Sequence, residues 1–87
     1  MIEVFTKALC PFCTKAKNRL KKLALDFTER DVTMDEAARE EMFQRSGRRT
    51  VPQIFIGAHH VGGWDDLSKL RAHEVHLLAE KNNDHHG

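Results

Sequence analysis

The chain has 87 residues, enough for one domain built around one small hydrophobic core. Its 14 lysines and arginines nearly balance its 13 aspartates and glutamates, which excludes a polyelectrolyte that holds nucleic acid by bulk attraction. No apolar run reaches bilayer-spanning length and the first residues lack the basic-then-apolar layout of a secretory signal, so no membrane association is expected and a soluble, cytoplasmic protein is.

Ile2 to Thr6 alternates and reads as a first strand. Cys10-Pro11-Phe12-Cys13 follows, holding both cysteines of the chain. In a reducing compartment such a pair is catalytic or metal-binding rather than a structural brace. From Cys13 the phase continues through Ala16, Leu20 and Leu23, an apolar stripe at helical spacing. Lys15, Lys17, Asn18, Lys21 and Lys22 occupy the other faces, where they read as the wet side of the helix and as a charge that can attract acidic partners. Phe27 to Val32 alternates weakly and reads as an edge strand, given Glu29, Arg30 and Asp31.

Thr33 and Glu36 have the spacing of a capping box, and a helix through Ala38, Met42 and Phe43 is expected to stop near Gly47. Met34 and Met42 read as core or staple residues. After Arg48-Arg49 and Thr50-Val51-Pro52, two strands, Gln53 to Ile56 and His59 to Gly62, are joined through Gly57-Ala58 as a hairpin. His59-His60 lies near that hairpin as an exposed polar pair. Asp65 or Asp66 can cap a last helix that carries Leu67 and Leu70 and continues through Val75 and Leu78 to about Lys81. Asn82 to Gly87, which includes His85-His86, has no apolar residue and reads as a polar tail to a single domain of residues 1–81. The order predicts an α/β fold whose four-stranded mixed sheet combines a parallel βαβ unit with an antiparallel pair, flanked by helices.

At the junction of strand and helix the two thiols should differ. Pro11 suits the first helical turn, which leaves Cys10 near the N-cap, facing unpaired backbone N–H groups and the positive end of the helix dipole. With Lys7 on the flanking loop, these features favour the Cys10 thiolate, the species that attacks a disulfide. Cys13 points along the apolar stripe and should be the less exposed, harder thiol to ionise. Cys10 is therefore the attacking and Cys13 the resolving residue of a thiol–disulfide exchange. No metal is expected: structural zinc wants four protein ligands, the chain has no second cysteine pair, and His73 and His76 lack further ligands to complete a site.

Taken together, Cys10-Pro11-Phe12-Cys13, Thr50-Val51-Pro52 and Gly62-Gly63-Trp64-Asp65-Asp66 make the chain resemble a glutaredoxin from Ile2 to about Leu78. Phe12 departs from the tyrosine usual in the family's C-P-Y-C motif. Thioredoxins, which share C-x-x-C, typically carry W-C-G-P-C. The resemblance implies a thioredoxin fold and a cis Pro52. It implies glutathione as co-substrate, with the Val51 backbone hydrogen-bonding its cysteinyl part as a strand would.

The remaining groups of the tripeptide can be matched by chemistry. The glycine carboxylate needs cations, which Lys7 with Arg48 or Arg49 can supply. The γ-glutamyl carboxylate fits the N–H groups where Gly63, Trp64, Asp65 and Asp66 open a helix. The ammonium needs an anion, and Asp66 stands at the family position for it. Phe12 packs beside the peptide, Trp64 covers the groove, Thr50 contacts the ligand or shapes the turn, and Asp65 serves rather as a cap.

The implied activity is glutathione-dependent reduction of protein–glutathione mixed disulfides and protein disulfides by a monomeric, electron-carrying enzyme of redox homeostasis. Ribonucleotide reductase is one partner the family offers. Two rivals follow from relatives. One is a carrier in which two subunits share an iron–sulfur cluster through cysteine and glutathione; Pro11 counts against it by stiffening the turn beside the sulfur. The other is a disulfide reductant fed by thioredoxin reductase.

Overall fold

The structure, a computed structural model, describes residues 1–83. Four strands, β1 (Ile2–Thr6), β2 (Thr28–Asp31), β3 (Gln53–Ile56) and β4 (His59–Gly62), form one sheet in the order β2-β1-β3-β4. β1 runs parallel to β2 and antiparallel to β3, and β3 and β4 form the antiparallel hairpin. Four helices accompany them: α1 (Pro11–Lys22), α2 (Glu36–Ser46), α3 (Trp64–Lys69) and α4 (Ala72–Asn83). This is the expected mixed sheet of a thioredoxin fold, with charged β2 at one edge.

The strand period of two sorts the core onto both faces of the sheet. Ile2 and Val4 of β1 and Ile54 and Ile56 of β3 pack with Ala16 and Leu20 of α1, Leu67 of α3 and Val75 of α4. Phe5 and Phe55, on the alternate positions, pack with Val32 and with Ala38 and Met42 of α2. Leu20 is fully buried, so trimming it to alanine costs about 2–5 kcal/mol through lost transfer energy and the cavity left behind. Above Phe5 and Phe55, Arg30 and Arg45 interleave with Glu3 and Glu41 in ion pairs of 2.8–3.3 Å. The Arg45 guanidinium lies 4.2 Å from the Phe55 ring centroid.

Two expectations about the approach to α2 are corrected. The helix cap before α2 is Asp35, whose Oδ1 accepts from the Ala38 N–H at 3.0 Å. Thr33 Oγ1 instead accepts from the Ala8 N–H at 2.9 Å, fastening the loop that leads to Cys10. Met34, two residues ahead of the helix, is exposed rather than part of a core or staple.

The last helix is also two helices. Apolar steps from Leu67 to Leu70 and from Val75 to Leu78 are helical, but the five-residue step between Leu70 and Val75 would carry the stripe off the sheet in a continuous helix. The chain resets the phase at Leu70, which is extended (ψ 138°), and Glu74 Oε1 accepts the Arg71 N–H at 2.7 Å as α4 begins. α4 runs to Asn83, beyond the expected end at Lys81. The rest of the polar tail, with His85 and His86, lies outside the described residues. α2 does stop at Gly47, in the left-handed conformation with φ 72°.

Candidate functional site

Cys10 is the N-cap of α1, extended at φ −116° and ψ 101°, with Pro11 as the first helical residue. The Cys10 Sγ accepts from the Cys13 backbone N–H at 3.2 Å, so the sulfur occupies the place a serine or aspartate oxygen takes in an ordinary cap. It faces the helix's unpaired N–H groups and the positive end of its dipole. Cys13 is one turn on and buried, at 2% exposure, beside Ala16 and Leu20. Its thiol is pushed up to about 12, chiefly by burial and next by its hydrogen bond with Cys10; the Lys7 backbone and Lys17 charge oppose this more weakly. Both cysteines are free thiols.

A hollow of about 610 Å³ opens over the pair, lined on one side by Lys7, Ala8 and Leu9 and on the other by Lys17, Glu29 and Asp31. Leu9 is fully exposed and left-handed at φ 57°. Lys17, expected on the wet face of the helix, pairs with Glu29 at 3.0 Å. Thr6 Oγ1 also donates to Glu29 at 2.7 Å, and these partners hold the Glu29 carboxyl below its usual range.

A second groove, of about 230 Å³, is bordered by Phe12 of α1. Phe12, Arg48, Thr50, Val51, Pro52, Gly63, Trp64, Asp65 and Asp66 line it, so nearly all of the residues named for the tripeptide meet at one place. Lys7 belongs to the neighbouring hollow with Cys10. Arg49 lines neither: its guanidinium lies 4.0 Å from the Phe43 ring centroid, on α2. Of the two arginines, the groove takes Arg48.

The groove's two walls are set by backbone geometry. Val51-Pro52 is a cis peptide bond, as the resemblance implied. Val51 stands two residues before the first residue of β3, so its N–H and C=O lie outside every strand ladder. Opposite, Gly63 is the N-cap of α3, and neither Asp65 nor Asp66 caps in the simple way expected. Asp66 stands in the third helical position and its Oδ2 reaches back to accept the Gly63 N–H at 3.0 Å. A Cβ at Gly62, where φ is 119°, would collide with that carboxylate. Arg48 Nη1 meets the same oxygen at 3.5 Å. The Gly63 N–H and then Arg48 hold the Asp66 carboxyl below its ordinary value, which keeps it anionic.

Gln53 also lines this groove and was missed in the sequence, as was the contact of His60 with it. His60 is not an exposed partner of His59: it is half-buried, stacked on Phe55 with centroids 4.8 Å apart. The one available signal was a glutamine opening an otherwise apolar strand, Gln53-Ile54-Phe55-Ile56.

Comparison with known proteins agrees with this architecture. The family model for glutaredoxin matches residues 2–61. Glutaredoxin 3 of Escherichia coli K12 is 51% identical over 71 residues, covering 82% of this chain and 86% of that protein. Among solved structures, the glutaredoxin of Brucella melitensis is 39% identical with a TM-score of 0.75, over 98% of this chain and 92% of that one. The buckwheat glutaredoxin–glutathione complex is 28% identical with a TM-score of 0.78, over 94% and 78% respectively.

Proposed function

The chain belongs to the glutaredoxin family, and from that premise we propose that it is a glutathione-dependent thiol–disulfide oxidoreductase acting through the Cys10 thiolate. The observation that carries this reading is the Cys10 sulfur capping α1 in an open hollow, while Phe12 of the same helix borders a groove that also holds the unladdered Val51 backbone. A sulfur so placed is within reach of solvent and on the same helix as a surface complementary to an extended tripeptide with two carboxylates and one ammonium.

The groove supports each part of that peptide. The Val51 N–H and C=O pair with the cysteinyl main chain as a further strand. Arg48 takes the glycine carboxylate by swinging away from its 3.5 Å contact with Asp66, with Lys7 supplying charge from beyond Cys10. The N–H groups of the first turn of α3, at Trp64 and Asp65, face the γ-glutamyl carboxylate, and Asp66, held anionic, takes the ammonium. Phe12 and Trp64 cover the aliphatic portion. Arg49 has no part in this arrangement.

The reaction follows from the two thiols. The Cys10 thiolate attacks the glutathione sulfur of a mixed disulfide; a Cys10–glutathione disulfide forms and the protein leaves as a thiolate, which takes a proton from solvent. A second glutathione thiolate attacks the bound glutathione sulfur, releasing glutathione disulfide and restoring Cys10. With a protein disulfide, Cys10 forms the mixed disulfide and Cys13 attacks the Cys10 sulfur, forming the Cys10–Cys13 disulfide and releasing the substrate as a dithiol; two glutathiones then reduce that disulfide in turn and leave as glutathione disulfide. Burial and the negative Cys10 sulfur both hold the Cys13 proton. Once Cys10 is in a disulfide its charge is gone, so Cys13 becomes easier to ionise when it is needed. A reducing compartment such as the cytoplasm suits this cycle.

The decisive experiment is turnover of a small glutathione mixed disulfide, coupled to glutathione and glutathione reductase on one side and to thioredoxin reductase alone on the other. Turnover is expected only in the first. Turnover only in the second would replace glutathione by a flavoenzyme as the electron source.

A further inference from the structure

Gln53 is a buried polar side chain, at 1% exposure, that the exchange chemistry does not use. Its Nε2 donates twice to one residue, to the Thr50 carbonyl at 3.1 Å and to the Thr50 hydroxyl at 3.2 Å. Its Oε1 is 2.7 Å from His60 Nε2. With both amide protons directed at Thr50, Oε1 is the acceptor left for His60, which assigns the imidazole proton to Nε2. His60 is itself fixed, stacked on Phe55 at an interplanar angle of 25°. Phe55 is in turn held by the Phe5 edge at 5.8 Å and by Arg45. Thr50, by contrast, is exposed and irregular, and among the described residues these two bonds are its only hydrogen bonds.

We propose that Gln53 is the positioning residue of the groove: it clamps Thr50 to His60 and so fixes the Thr50–Val51 main chain against which the cysteinyl unit of glutathione pairs. The inference rests on the glutathione reading above and adds how the site is held ready. Pairing a backbone to an extended peptide needs that backbone immobile beforehand, because ordering it on binding subtracts from affinity. The segment 48–51 has no ladder of its own to supply this rigidity. The amide of Gln53 supplies it from the sheet, through three hydrogen bonds to two residues.

The test compares Gln53→Met, similar in shape but without amide groups, with His60→Leu, which leaves the Thr50 bonds and frees only Oε1. Gln53→Met is expected to raise KM for a small glutathione mixed disulfide about tenfold, the worth of one buried polar clamp. kcat should stay within about twofold, and alkylation of Cys10 unchanged, because the sulfur's surroundings are untouched. His60→Leu should raise KM about threefold, and the double variant should match Gln53→Met alone, because the residues act as one chain. Backbone order parameters at Thr50 and Val51 should fall from about 0.85 to below about 0.6 in Gln53→Met. An unchanged KM, or additive effects in the double variant, overturns the proposal. If Gln53→Met does not fold, an unchanged KM in His60→Leu overturns it alone. If the wild type shows no glutathione-dependent turnover, the functional reading is lost, and the order parameters still decide the role of Gln53: no change in them overturns it.

Discussion

The Cys13 backbone N–H donates to the Cys10 sulfur across 3.2 Å. The buried member of the pair thus holds the accessible member at the open end of α1, and does so through its main chain. A substitution at Cys13 can remove the second thiol and leave that hydrogen bond in place.

Cys13→Ser is therefore expected to keep turnover of glutathione mixed disulfides within about threefold of wild type, because only Cys10 exchanges there. Reduction of a protein disulfide should fall at least about tenfold, for want of the resolving attack. Cys10→Ser should lose both activities. Parallel assays on a small mixed disulfide and on an insulin-type protein disulfide check this; loss of both activities in a folded Cys13→Ser protein removes the assignment of roles.

Stability should decline in alkali because of Cys13. Its thiol ionises near 12 in the folded chain against 9.0 ordinarily. Above pH 9.0 the unfolded chain gives up this proton and the folded chain keeps it, so rising pH favours unfolding. The contribution is whole below pH 9.0 and is lost towards about 12, with a slope of about 1.4 kcal/mol per pH unit where the two states differ by one proton. Urea titrations at pH 8 and at pH 10.5 measure it, and the slope difference should vanish in Cys13→Ser.

The two adjacent arginines should separate cleanly. Arg48→Ala removes a cation that lines the groove and is expected to raise KM for the mixed disulfide about 3- to 30-fold, with kcat little changed. Arg49→Ala should leave KM alone and cost about 0.5–1 kcal/mol of stability, the worth of an exposed cation–ring contact with Phe43. Steady-state kinetics and a urea titration on both variants decide the matter; an equal rise in KM for Arg49→Ala contradicts the placement.

Asp66 joins the cap of α3 to the groove. Its folded value is lowered from 3.8, so its stabilisation is present above that pH and is lost as pH falls through the lowered value. Asp66→Asn keeps an acceptor for the Gly63 N–H and loses the charge beside Arg48. The variant should unfold less steeply between pH 5 and pH 2 than wild type and show a raised KM at neutral pH. Asp66→Ala loses the acceptor as well and should lie about 0.5–2 kcal/mol below Asp66→Asn, with the same shallow pH dependence. Chemical denaturation as a function of pH distinguishes the two variants.

What could be read from the sequence was what depends on neighbours in sequence. Strand alternation in Ile2–Thr6, the stripe from Cys13 to Leu20 and the helix opened by Pro11 are short-range patterns, and the structure repeats them. The break at Leu70 was present in the spacing of Leu67, Leu70, Val75 and Leu78, but each half looked helical alone. Arg48 and Arg49 could not be told apart because an irregular segment has no period to assign a side. The Gln53–His60 contact depends on the register of β3 with β4, where a shift between Ile54 and Phe55 moves the pairing by a residue. Asp35 displaced Thr33 as the cap for a similar reason: Thr33 has a distant partner in Ala8.

β1 and β3 each feed both halves of the hydrophobic interior from alternate positions. Adding or deleting one residue within Ile2–Thr6 or Gln53–Ile56 would exchange the two sides at once, turning Phe5 or Phe55 towards α1 and the isoleucines towards α2. Neither half could repair the other. Tolerance for changes in length should therefore be confined to junctions such as Gly57-Ala58, while the central strands admit replacement of residues but no change in their number.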